Sequence, residues 1–110
     1  MSKYEILEYV TAQGEKPFFK WLNSLNDRQT KKRILARLAK VELGNWGDWK
    51  AIEGAKNLYE LREQFGAGYR IYYSVIEQRI VLLLAGSDKG DQNRTIAKAK
   101  EYLEDYERRK

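Results

Sequence analysis

The chain reads as an α+β protein in which a mostly antiparallel sheet is packed by helices. Two observations predict this class. Period-two, strand-like segments open the chain and then crowd together in three close successions after residue 57. Helical periodicity is confined to a pair of segments between residues 17 and 43 and to the last stretch from about residue 92. The expected order is therefore β-α-α-β-β-β-α.

Each element has a local reason. Lys3 to Val10 reads as a strand, with Tyr4, Ile6, Glu8 and Val10 on one face and Leu7 and Tyr9 on the other. Gly14 breaks it. Pro17 suits the first helical position, and Phe18, Trp21, Leu22 and Leu25 follow at i, i+3, i+4 and i+7. Asn26 with Gln29 resembles a capping box that opens a second helix, whose apolar stripe is Ile34, Leu35, Leu38 and Val41. Gly44 is its natural stop. Asn45 to Gly54 reads as a loop anchored by Trp46, Trp49 and Ile52.

Leu58 to Gln64 and Tyr69 to Ile76 read as strands joined by the short glycine-bearing loop Phe65-Gly66-Ala67-Gly68. A second tight connection, Gln78-Arg79, leads into Ile80 to Ala85. That segment is apolar on both faces, which predicts a central strand covered on both sides. Gln92 to Arg108 closes the chain as a helix with Ile96, Ala99, Leu103 and Tyr106 as its buried stripe.

At 110 residues the chain has the length of one domain, 1–110. It contains no cysteine and no histidine, so the commonest acid–base catalyst and the commonest soft metal ligands are missing. Chemistry has to run on Arg, Lys, Tyr, Asp or Glu, and no cofactor or metal is expected. The N-terminus turns acidic at Glu5, and the longest apolar run, Ile80 to Ala85, falls far short of the roughly 20 residues that span a bilayer. A cytoplasmic protein with no membrane partner is the expectation. The formal charge of +5 points toward an acidic partner, nucleic acid first.

Three features carry candidate chemistry. From Arg28 to Lys40 the second helix holds Arg28, Lys31, Lys32, Arg33, Arg37 and Lys40 and no acid. This is either a solvated face or a phosphate-backbone footprint that positions RNA without reading bases. In the hairpin, a loop centred on Ala67 sets Arg62 opposite Tyr72 and Gln64 opposite Arg70, all on one sheet face with Glu60 further along. Guanidinium groups gathered there suit bidentate phosphate binding. After the central strand, Gly86-Ser87-Asp88-Lys89-Gly90-Asp91-Gln92 lets a ligand come close to the backbone and puts Lys89 within reach of the sheet's end; a P-loop pattern is absent. An ordinary turn with a helix cap is the plainer reading of that loop.

The blocks Gly47-Asp48, Glu53-Gly54, Leu58-Tyr59-Glu60-Leu61-Arg62, Gly66-Ala67-Gly68-Tyr69-Arg70-Ile71-Tyr72-Tyr73 and Leu82-Leu83-Leu84-Ala85-Gly86-Ser87-Asp88-Lys89-Gly90-Asp91-Gln92 stand in the order found in the RelE/HigB-type toxins. The chain resembles their addiction module killer protein branch over roughly residues 45 to 103. The resemblance implies a RelE-like fold and the toxin of a type II toxin–antitoxin pair, an endoribonuclease that cleaves mRNA in the ribosome. Its partners would be the ribosome, mRNA and a cognate antitoxin, usually of helix-turn-helix type in this branch. Arg62, Arg70 and Lys89 match the family's catalytic phosphate-binding and basic positions. Arg28, Lys31, Lys32, Lys56 and Arg94 are candidate RNA contacts, and Tyr72 is a candidate stacking surface for a base.

The chain departs from the family at Asn93-Arg94-Thr95-Ile96, where many members of the wider superfamily carry a Tyr or His for proton transfer. The alternatives are a ParE-like toxin of the same fold acting on DNA gyrase, and a non-catalytic relative that only binds its antitoxin.

Overall fold

Apolar residues alternating along the strands have to be covered on both sides, and the molecule meets that demand with one sheet between two helical layers. A computed structural model describes residues 2–110. The elements are β1 (Glu5–Glu8), α1 (Pro17–Ser24), α2 (Arg28–Glu42), β2 (Trp49–Ala51), β3 (Tyr59–Arg62), β4 (Arg70–Ile76), β5 (Ile80–Ser87), a 3-10 turn (Lys89–Asp91) and α3 (Gln92–Arg108). The sheet order is β1-β5-β4-β3-β2, antiparallel except for the parallel β1–β5 pair.

The α+β class and the order of predicted elements hold, with one strand added. β2 falls where the sequence reads as loop; its three exposed residues pair with β3 at the sheet edge, Lys50 opposite Glu60. So short a segment has no alternation to read, and its partner alone makes it a strand. β1 starts later than expected because the N–H groups of Lys3 and Tyr4 turn to the Glu42 carbonyl at the end of α2. The cap of α2 is Asp27 rather than Asn26: its carboxylate accepts from the Gln29 N–H at 3.0 Å and the Thr30 hydroxyl at 2.8 Å. Leu35, expected in the buried stripe, is 52% exposed, since Ile34, Leu38 and Val41 already fill the contact with the sheet.

Two cores result. Phe18, Leu22, Ile34, Leu38 and Val41 of α1 and α2 pack on Leu61, Ile71, Tyr73, Val81 and Leu83. On the opposite face, Ala99 and Leu103 of α3 pack on Tyr72, Ile76, Leu82 and Leu84. β5 thus contributes to both, as its two-sided apolar run predicts.

A β-bulge breaks the register between Tyr72 and Tyr73: Tyr72 faces Ala85 while Tyr73 faces Leu83. The extra residue, Leu84, reverses the side-chain parity of everything after it. Leu84 and Ala85 both join the α3-side core, Gly86 meets Trp21 of α1, and Ser87 reaches the Tyr72 hydroxyl on the α3 side.

The far end of α3 is tied to the two residues that follow β1. The Tyr9 hydroxyl donates to Asp105, and Arg109 bonds both Asp105 and the Val10 carbonyl at 2.6 Å. The Tyr9 hydrogen bond, then that from Arg109, holds the Asp105 carboxyl below the usual carboxylate range. A carboxyl depressed in the folded state lends stability that is present above its unfolded pKa and lost as pH falls through the folded one. Urea midpoints should therefore drop on acidification, and Asp105→Asn should flatten the part of that slope below about pH 4. An identical slope in the variant would remove Asp105 as its source.

Candidate active site

Strand register builds the site. On the α3 side of the sheet, one row across the strands reads Lys50, Glu60, Tyr72, Ala85, and the next reads Arg62, Arg70, Ser87. Rows on one face lie about 6.5–7 Å apart along a strand and neighbouring strands about 5 Å apart. The hairpin pairs Arg62 with Arg70 and Glu60 with Tyr72, so it is centred on Gly66 rather than Ala67. Moving the centre by one residue moves every partner by two. Parity survives, and the four side chains share one face as expected although their partners change.

Arg70 is buried, with 6% exposure. Its Nη1 donates to the Tyr69 carbonyl at 3.1 Å and, more weakly, to the Glu63 carbonyl at 3.4 Å. Its Nε is buried and has no hydrogen-bond partner among the described residues. Lys89 is exposed in the 3-10 turn, whose N–H reaches the Ala67 carbonyl at 3.3 Å. Gly68 is the contact point between turn and hairpin: a β-carbon there would lie 3.4 Å from the Lys89 Cβ and 4.0 Å from the Arg70 Nη1. The structure thus brings Arg70 and Lys89 to the same corner.

Arg62 stands opposite Arg70, but its guanidinium is engaged. Nε and Nη2 both donate to Asp48 Oδ1, at 3.2 and 2.9 Å, and Gln64 donates to Oδ2 at 3.2 Å. The Arg62 hydrogen bond, with a further one from Gln64, lowers the Asp48 carboxyl below its ordinary range. Asp48 therefore occupies the fork of the Arg62 guanidinium. Asp48→Asn should raise affinity for a short single-stranded RNA several-fold, measured by fluorescence anisotropy at low salt. The pair is partly exposed, so the change in stability should stay within about 1 kcal/mol. Unchanged affinity would show that Arg62 meets no phosphate.

The remaining candidates fall into four places. Tyr72 is 0% exposed, and its hydroxyl bonds Ser87 at 3.1 Å; contrary to its reading as a stacking surface, a ring with no open face offers a base nothing to stack on. Burial also pushes its hydroxyl pKa upward. Arg28, Lys31 and Lys32 lie on α2, across the sheet from Arg70, and are not brought to this site. On the same helix, Arg37 is a strut, bonded to Glu63 at 3.0 Å and to the carbonyls of Arg62, Trp46 and Asp48, while Arg33 lies 3.8 Å over the Phe65 ring. Arg94 is exposed on the first turn of α3, and Lys56 is exposed in the loop before β3.

A cleft of about 650 Å³ opens beside these rows, between the β2–β3 edge and the start of α3. Lys50, Glu60, Gln92, Asn93, Ile96 and Lys100 line it. Alternation with Arg62 puts Glu60 on this face, whereas Lys50 and the cleft depend on the β2–β3 pairing, which has no local signal. The closest sequence signal is Lys50 itself, three residues after Gly47 and four before Gly54.

Comparison with known proteins agrees with this architecture. The family model described as "Phage derived protein Gp49-like (DUF891)" matches residues 20–105. An uncharacterized protein of Haemophilus influenzae is 37% identical over 83 residues, which is 76% of this chain and 82% of that protein. Among solved structures, a double mutant of the E. coli toxin RelE in the free state superposes with a TM-score of 0.64 at 17% identity, covering 90% of this chain and 95% of that one. The family model spans the segments that carry the sequence resemblance, and the RelE structure shares the fold around them. The chain belongs to the phage-derived Gp49-like family and is built on the RelE fold.

Proposed function

We propose that this protein is the toxin of a type II toxin–antitoxin pair and cleaves mRNA in the ribosome, by attack of an RNA 2′-OH on the adjacent phosphorus. The observation that carries the reading is Arg70: a buried guanidinium with an unsatisfied Nε, set opposite Arg62 and beside Lys89. A buried donor left unpaired costs about 1–3 kcal/mol, more when charged. A phosphate oxygen is an acceptor that satisfies it in the bound state.

In this scheme Arg62 and Arg70 meet the charge that builds on the pentavalent phosphate. Arg62 first exchanges Asp48 for the phosphate. Lys89, at the exit of β5, gives its proton to the departing 5′-oxygen, and the products are a 2′,3′-cyclic phosphate and a 5′-OH. The scheme assigns the transition-state charge to guanidinium groups and calls on no metal. Exposed Arg94, Lys56 and the basic residues of α2 lend the positive field that draws RNA to the +5 chain. A cognate antitoxin, of helix-turn-helix type by family resemblance, restrains the activity.

The test is induction in a host lacking the antitoxin, followed by primer extension on its messages. Cuts within translated frames, together with growth arrest, are expected. Intact messages with DNA damage would favour action on gyrase, and full tolerance would favour a binding role.

A further inference from the structure

Glu60 is a carboxylate where the fold has no use for one. It sits in the middle of β3 with 6% exposure, and its Oε1 is buried without a hydrogen-bond partner among the described residues. The hydroxyl beside it does not help, because Tyr72 is bonded to Ser87. Yet Glu60 also lines the 650 Å³ cleft, flanked across the strands by Lys50 on one side and Tyr72 on the other. Burying a polar group without its hydrogen bonds is unfavourable, and an apolar side chain at this position would pack against Tyr72 at no such cost. A sheet that keeps an unsatisfied acid at the edge of a cleft, one pleat repeat from an arginine pair, keeps it for chemistry.

We propose that Glu60 is the base that takes the proton from the RNA 2′-OH. This rests on the ribonuclease reading and supplies the proton-transfer group that the start of α3 lacks. The geometry is that of one nucleotide laid along β3. With the phosphate at the Arg62–Arg70 row, the sugar on its 5′ side falls at the next row, where Glu60 stands. Lys50 and Lys100 on the cleft walls meet the flanking phosphate. In the step itself, a Glu60 carboxylate oxygen accepts the 2′-OH proton as the 2′-oxygen–phosphorus bond forms. The phosphorus–5′-oxygen bond breaks, and the 5′-oxygen takes its proton from Lys89. Glu60 ends protonated and Lys89 neutral, and exchange with water restores both.

The experiment is single-turnover cleavage of a defined message on purified ribosomes, with Glu60→Gln, Glu60→Leu and Lys89→Ala beside the wild type. A second message carries sulfur in place of the 5′-oxygen at the scissile linkage, so that the leaving group departs without a proton. Glu60→Gln should slow cleavage about 10²–10³-fold, with the half-saturating concentration changed less than about two-fold. Its deficit should persist on the sulfur substrate, whereas that of Lys89→Ala should shrink. Both Glu60 variants should melt at or above the wild-type temperature. A Glu60→Gln rate within about three-fold of wild type, a deficit that vanishes on the sulfur substrate, or a defect in binding alone would overturn the proposal. So would collapse of the fold in both variants, which would mark Glu60 as structural. A wild-type protein that leaves the message intact would overturn the ribonuclease reading first, and the role of Glu60 with it.

Discussion

Arg70→Met is expected to lower cleavage of ribosome-bound message by about 10²–10³-fold, some 3–4 kcal/mol of transition-state stabilisation, while leaving the melting temperature unchanged or raised. The two halves of this expectation have one cause. Nη1 is held by two backbone carbonyls of the hairpin, so the orientation of the guanidinium is set before any ligand arrives. A donor fixed in advance spends nothing on reorganisation when charge develops, which is why such groups dominate phosphoryl chemistry. The same group is a liability in the free protein, because its Nε is buried without an acceptor. Methionine fills much of the volume without importing a charge, and it removes a buried unpaired donor whose desolvation costs about 1–3 kcal/mol. An activity loss that tracks a fall in melting temperature would make Arg70 a structural residue. Full activity in the variant would remove it from the site altogether.

How far all this was legible depends on whether a residue's place is set by local pattern or by a distant partner. The helices at Pro17 and Gln92 begin where the pattern puts them, because a fixed proline φ and an apolar stripe are local properties. The hairpin face is also local. Alternation within Tyr59-Glu60-Leu61-Arg62 and from Arg70 to Tyr72 settles which side chains share a face even when the loop centre is off by one. The role of Asp48 was not legible, since only the β2–β3 pairing sets it against Arg62. Ser87 was beyond reach for a different reason. Strict alternation sends it to the α1 side, and only the bulge at Leu84 returns it to Tyr72. Tyr72 illustrates the converse error: its type suits base stacking, but its ring is packed under α3.

The bulge makes a second large effect testable, at Gly86. Sequence alone suggests that the small residues after the central strand let a ligand approach. In the structure Gly86 serves a side chain instead. A β-carbon there would lie 2.1 Å from Cε3 of Trp21 and 2.4 Å from Cδ2, atoms in the body of a rigid indole rather than the tip of a flexible chain. Trp21 is held in turn by Phe18 and Tyr69, with ring centroids 5.8 and 6.2 Å away. Gly86→Ala must therefore shift α1 away from β5, at a cost of about 1–3 kcal/mol for overpacking. At roughly 4–8 °C per kcal/mol for a chain near this length, the melting temperature should fall on the order of 10 °C. Gly86 does not adopt a left-handed φ, so alanine meets no backbone penalty. With space available, the same substitution would stabilise by about 0.4–1 kcal/mol through the unfolded chain. The sign of the change thus decides between the two accounts. Trp21→Leu in the Gly86→Ala background should recover part of the loss, with a coupling of about 0.5–3 kcal/mol in the double-mutant cycle. Additive effects would show that glycine is kept there for some reason other than the indole.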